Sequence, residues 1–266
     1  MQNLKNNIKS RLTNALRQKF STYQPESAYM PFHTRLLGKD TMALYSFIQS
    51  LNTNFGTSIF EPVAEELAQS QFDIIKRQAI AGSTITKDAQ RVIQDIMDNL
   101  ESGRAKPNKR DEIERILAVV NNGESVNVKP TKVDLFLQKD DEIYLIDIKT
   151  AKPNKGGFKE FKRTLLTWIA CYAKEHLCLD SSANPATNAK IHSLIAIPYN
   201  PYEPKPYQRW TMAGMLDLDN ELKVAKEFWD FLGGEGSYEL MLLAFEEVGC
   251  EMRDEIDEYF KRFNAT

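Results

Sequence analysis

The sequence has 266 residues, 42% of them hydrophobic, and a formal net charge of -3. That is chain enough for one large domain or two small ones with a buried core, and it is not the composition of a disordered tail. The balance argues against a uniformly basic nucleic-acid binder, but it hides how the charges are distributed.

Residues 3–20 predict an amphipathic helix, with Leu4, Ile8, Leu12, Leu16 and Phe20 at four-residue steps. Five bases (Lys5, Lys9, Arg11, Arg17, Lys19) and no acid lie on it. A second helix is expected over 40–52, with Leu44, Phe47, Ile48 and Leu51 on one face, and Gly56 breaks it. Pro62 suits the first turn of a helix continuing to about residue 80. Another covers about 87–101, with Ala89, Val92, Ile93, Ile96, Met97 and Leu100 inward, and a short one covers 110–120.

The period then changes. Residues 133–138 and 143–150 alternate apolar and polar around a Lys139-Asp140-Asp141 turn, which predicts an antiparallel hairpin. A helix over 158–177, a short buried strand over 191–197 and a Pro- and aromatic-rich loop from 198 to 210 follow. From about 219 the chain reads as mostly helical, and residues 217–266 carry 14 acids against 5 bases. The expectation is a single α/β unit over 1–266: a mainly helical part (1–125), a core with a small mixed sheet flanked by helices (126–210), and an acidic helical part (211–266).

Cys171, Cys178 and Cys250 are an odd count without disulfide-framework spacing, and no signal-peptide pattern is seen, so a reduced, cytoplasmic protein is expected. The longest apolar run, 240–245, is far too short to span a bilayer, so no membrane association is expected. His33, His176 and His192 are too few and scattered for a site, and no HExxH, CxxC or P-loop pattern occurs. Gly233-Gly234-Glu235-Gly236 reads as a turn between helices.

The informative segment is Asp134 followed by Asp147-Ile148-Lys149. An acid two residues before a lysine also occurs at Glu160/Lys162, Glu203/Lys205 and Glu221/Lys223, so the spacing alone decides nothing. Glu160/Lys162 and Glu221/Lys223 fall on expected helices, where positions i and i+2 diverge, and Glu203/Lys205 flanks a proline in a loop. Asp147 and Lys149 fall on a strand, where i and i+2 share a face. That face reads Ile143, Leu145, Asp147, Lys149 and turns from apolar to charged at the strand's end. Asp134 lies within reach across the hairpin. Carboxylates at a sheet edge supply hard oxygen ligands for Mg²⁺, which acidifies water and neutralises charge at phosphorus, and an ammonium there orients the water or stabilises that charge. A surface hairpin ending in an ordinary Asp–Lys ion pair would give the same string.

From Lys149 to Arg163 there are six bases (Lys149, Lys152, Lys155, Lys159, Lys162, Arg163) against the single acid Glu160. The run opens a helix, and phosphates favour both basic side chains and helix N-termini.

Asp134 … Asp147-Ile148-Lys149 resembles the PD-(D/E)xK nuclease motif, with Val133 where the motif has proline. The string Asp147-Ile148-Lys149-Thr150-Ala151-Lys152-Pro153-Asn154, then Phe158-Lys159-Glu160-Phe161-Lys162-Arg163, Trp168 and Ile197-Pro198-Tyr199-Asn200-Pro201-Tyr202 resembles type II restriction endonucleases of the TdeIII/MjaII group. The resemblance lies over 130–210.

It implies a homodimeric, Mg²⁺-dependent endonuclease cutting both strands of a short palindromic site in double-stranded DNA, of the GGNCC type. It also implies a DNA methyltransferase that protects the same site in the host. Asp134, Asp147, Ile148 and an upstream glutamate would hold Mg²⁺, and Lys149 would assist the water. In the segment around Pro62 the candidates are Glu61 and then Glu65, because Glu66 shares a helical face with Ser70, Asp73 and Arg77 and reads as solvated. A dipole-favoured acid at the helix start would also account for Glu61. Asn200, Lys205, Gln208 and Arg209 have the chemistry to read base edges, although the loop's tyrosines could simply pack it down. Two rivals stand beside this reading: a non-specific or structure-specific nuclease with the same metal site, and a non-catalytic DNA-binding protein.

Overall fold

The computed structural model describes residues 2–24, 30–149, 157–177, 190–207 and 210–261. Among these the helices are α1 (Gln2–Thr22), α2 (Pro31–Leu37), α3 (Lys39–Phe55), α4 (Glu61–Ala68), α5 (Lys87–Glu101), α6 (Lys109–Leu117), α7 (Gly157–His176), α8 (Trp210–Ala213), α9 (Leu218–Glu221), α10 (Lys226–Gly233), α11 (Ser237–Glu251) and α12 (Arg253–Lys261). The strands are β1 (Ile74–Ile80), β2 (Thr84–Thr86), β3 (Ser125–Asn127), β4 (Lys132–Lys139), β5 (Glu142–Ile148), β6 (Lys190–Ile197) and β7 (Leu222–Val224).

The architecture is mixed α/β, as expected. A five-stranded sheet has the order β1-β4-β5-β6-β7. β1, β4 and β5 pair antiparallel, and β5, β6 and β7 pair parallel. The β4–β5 hairpin turns at Asp140, whose φ of 50° is left-handed. The parallel step from β5 to β6 requires a crossover, and α7 lies within it.

One core lies on each side of the sheet. On the first, Ile143, Leu145, Ile191 and Ile195 pack under α5, α6 and α7 through Ile93, Met97, Ile116, Leu165 and Ile169. On the other, Leu135, Leu137, Ile146, Ile148 and Leu194 pack against α1, α4, α10 and α11 through Ile8, Leu12, Val63, Leu67, Phe228 and Met241. The alternation read over 133–148 is this two-sided burial. α5 begins where Thr86 Oγ1 accepts a hydrogen bond from the Ala89 amide (3.2 Å), and its inward residues are buried as expected except half-buried Val92.

Four expectations are corrected. The helix foreseen over 62–80 ends at Ala68, and Ile74–Ile80 is a strand pairing antiparallel with β4. Its β-branched Ile74-Ile75 pair gains a ladder there that a lone helix extension lacks. Gly56 does not break the preceding helix. It adopts a right-handed conformation, and a π-helical turn (Gly56–Phe60) leads straight into α4. On α3, Phe47 is buried whereas Leu44 and Ile48 are exposed. β7 lies within the stretch read as helical, and the short β2–β3 pair was not foreseen. Three-residue strands carry too little alternation to register.

The oppositely charged ends of the chain meet in the fold. The basic helix α1 packs on acidic α11 and α12. Lys5 and Lys9 pair with Glu247 (2.7 and 2.9 Å), Lys9 with Glu251 (2.5 Å) and Arg17 with Glu255 (2.6 Å). Arg11 pairs with Glu66 (3.1 Å), and Lys19 donates to Ser50 Oγ (2.5 Å). Lys5, Lys9 and Arg17 are therefore held by the acidic C-terminal helices.

Candidate active site

The ladder between β4 and β5 has Leu135 opposite Ile146, and Asp134 and Asp147 are the next residues beyond that pair. The Ile148 amide donates to Asp134 Oδ2 (2.9 Å), which ties the end of one strand to the acid on the other. Asp147 is buried, with only 5% exposure, on the face that also carries Ile143 and Leu145. Lys149 follows on that face. Its Nζ lies 2.7 Å from Asp147 Oδ1 and 4.9 Å from the centre of the Phe161 ring at the start of α7. A surface hairpin with a solvated ion pair does not fit a carboxylate this buried.

Glu61 is the first residue of α4 and is 3% exposed. Gln78 on β1 joins it to the motif: Gln78 Nε2 donates to Glu61 Oε2 at 2.8 Å and to Asp134 Oδ1 at 3.3 Å. Glu65, one turn further, is turned away and pairs with Arg77 (2.7 Å). Glu66 takes the Arg11 pair and a hydrogen bond from Asn7, not the Asp73 and Arg77 neighbours that a longer helix would have provided.

The electrostatics follow from this crowding. Burial, the nearby Asp147 carboxylate and a hydrogen bond with it push the Asp134 carboxyl up to about 7, against the opposing donation from the Ile148 amide. Burial also raises Glu61, and the Gln78 hydrogen bond and the Arg77 and Lys132 charges oppose it. Acids held above their usual range gain from a bound divalent cation, which removes the mutual repulsion. Their hard oxygens suit Mg²⁺. Ile148 is apolar and nearly buried, so only its main chain could join them. Among the described residues, no three His, Cys, Asp or Glu side chains are grouped closely enough to hold a metal ion. Gln78 stands between Asp134 and Glu61.

Residues 1–249 match the profile of the family described as "Type II restriction endonuclease, HinfI". The chain belongs to the HinfI family of type II restriction endonucleases. It is 28% identical over 248 residues to the type II restriction enzyme MjaII of Methanocaldococcus jannaschii, covering 83% of this chain and 63% of that protein. It is 24% identical over 277 residues to the type II restriction enzyme HgiBI of Herpetosiphon aurantiacus, covering 96% of each. The chain thus spans less than two thirds of MjaII's length and nearly all of HgiBI's.

In this member of the HinfI family the residues expected to meet DNA divide. Lys159 is exposed at the start of α7 and pairs with Glu101 (2.7 Å). Arg163 hydrogen-bonds Gln94 (3.0 Å) and lines an open groove between α5 and α7 with Lys87, Gln90, Arg91, Ile93 and Thr167. Lys162 is corrected. It is fully buried, with Nζ 2.5 Å from Glu112 and 2.6 Å from Glu221, and Glu221 also holds Lys109 (2.7 Å). This two-lysine, two-glutamate cluster binds α6, α7 and α9 together and cannot reach a phosphate.

Asn200 is also corrected as a base reader. Its Oδ1 accepts from the Tyr202 amide (3.0 Å) and its Nδ2 donates to the Lys205 carbonyl (2.7 Å), so both ends close its own turn. Lys205 is exposed on that turn. Lys152, Lys155, Gln208 and Arg209 lie outside the described residues. Gln78 was missed because the helix expected over 62–80 hid it. The Ile74-Ile75 pair was the one signal for a strand there.

Proposed function

We propose that this chain is a single endonuclease unit that hydrolyses phosphodiester bonds in double-stranded DNA with Mg²⁺, acting as a homodimer on a short palindromic site. The observation that carries the reading is the buried Asp147 with Lys149 on one strand face and Asp134 across the hairpin, in a chain of the HinfI family. The GGNCC-type site is the expectation that the sequence resemblance attaches to it.

Asp134, Asp147 and Glu61 would hold the metal, together with the Ile148 main chain, while Glu65 is engaged with Arg77. When bound, Mg²⁺ supplies Lewis-acid activation of water and neutralises charge building on the phosphate. The chain's own residues do the rest. Asp147 keeps the Lys149 ammonium at the end of β5. From there Lys149 orients the attacking water and stabilises the negative charge growing at phosphorus. Phe161 packs against the ammonium and holds it at the mouth of the site. Lys159, Arg163 and Lys205 contact the duplex from α7 and the loop after β6.

Among the described residues no helix is long and apolar enough to cross a membrane. Action on DNA in the cytoplasm, beside a methyltransferase that marks the same site, fits the reading. Digesting a defined plasmid with Mg²⁺ tests it. Discrete fragments with a common end sequence support site-specific cleavage, and a smear or an uncut plasmid contradicts it.

A further inference from the structure

Gln78 has a left-handed backbone, with φ of 52°, in the middle of a strand. Its neighbours pair normally, Arg77 with Leu135 and Ala79 with Val133. A non-glycine residue with this φ is uncommon, and such strain persists only where the surrounding structure imposes it. Here it turns over the alternation of the strand. Ile75 packs with Leu135 and Leu137 in one core, whereas Ala79 packs with Val133 in the other. The residue at the switch sends its side chain to Glu61 and Asp134.

We propose that Gln78 is a positioning residue that pre-sets the Glu61 and Asp134 carboxylates for a divalent cation. The proposal rests on the metal-site reading above. Asp134 then has Oδ1 held by the Gln78 amide and Oδ2 by the Ile148 amide, and Glu61 Oε2 is held by the same Gln78 nitrogen. Both donors are uncharged. They fix the acids without cancelling the negative charge that a cation needs, as a lysine or arginine at position 78 would. The adjacent cation, Arg77, pairs with Glu65 rather than with either of these acids. Partners that orient a ligand from behind commonly change metal affinity 10–100-fold when removed.

The test is Mn²⁺ titration of the DNA-free protein, followed by the electron paramagnetic resonance of the free ion, with thermal unfolding alongside. Gln78→Gly relieves the backbone and deletes the amide. Gln78→Met keeps the side chain's length and deletes the donor. Both are expected to bind Mn²⁺ about 10-fold more weakly than wild type, with the glycine variant unfolding at or above the wild-type temperature. Wild-type affinity in either folded variant overturns the proposal. Asp147→Ala separates this from the underlying reading: if it takes up Mn²⁺ like wild type, or if wild type takes up none, the metal site itself is misassigned.

Discussion

Lys149 Nζ sits 2.7 Å from Asp147 Oδ1 at the point where β5 ends and its buried face opens to solvent. The pair joins the end of β5 to the residue just after it, so it needs no distant element to form. The ammonium is the more exposed partner, at 29% against 7% for the carboxylate. Lys149→Ala should therefore lower cleavage by about 10²–10³-fold, the scale of losing one charge-stabilising donor. Duplex binding in Ca²⁺ should stay within a few-fold, measured by gel shift. Loss of binding in parallel with cleavage would instead make Lys149 a DNA anchor.

The Asp134 carboxyl gives a pH signature. In the fold it ionises at about 7, against 3.8 ordinarily. Between those values the folded chain holds a proton that the unfolded chain has lost, so stability falls as pH rises. The deficit is complete above about pH 7. Glu61 is shifted in the same direction. The metal-free protein should thus melt at progressively lower temperature from pH 5 to 8. Asp134→Asn should flatten that decline, and Mg²⁺ should offset it at pH 8. An unchanged pH profile in Asp134→Asn would show that the carboxyl is not the group responsible.

Lys162 separates structure from DNA contact. Removing one partner from a buried ion cluster typically costs about 3–5 kcal/mol, because the remaining charges are left uncompensated. Lys162→Met should lose stability on that scale in urea unfolding, since Glu112 and Glu221 would share Lys109 alone. The fraction that folds should bind DNA with the wild-type salt dependence. A stable variant with weakened DNA binding would restore Lys162 to the interface.

The bases of α1 and α7 should differ in the same assay. Each phosphate contact adds about 0.9 to the slope of log affinity against log salt. Lys159→Ala combined with Arg163→Ala should reduce the slope by nearly two. Lys9→Ala combined with Arg17→Ala should leave it unchanged, because both side chains are paired with the C-terminal acids. The reverse result would place α1 on the duplex.

The core of the site was legible because it is local. Asp147 and Lys149 share a strand face, and a short hairpin brings Asp134 opposite, so period-two alternation sufficed. The strand β6 and the helices around the sheet followed from the same switch of period. What was not legible depends on pairing between distant segments. β1 resembled the end of a helix until its edge pairing with β4 is taken into account, and Gln78 went with it. Lys162 looked like one more base in a basic run, and only Glu112 and Glu221, 50 and 59 residues away, make it structural. The bases of α1 stood out as an unpaired run in the sequence, and only the distant acids of α11 and α12 partner Lys5, Lys9 and Arg17.

The most direct measurement compares wild type and Asp147→Ala on one plasmid of known sequence in Mg²⁺, with run-off sequencing of the ends. Wild type should give discrete fragments ending at one short palindrome, and Asp147→Ala should fold but leave the plasmid intact. Wild-type cleavage by Asp147→Ala would show that the chemistry lies elsewhere in the chain.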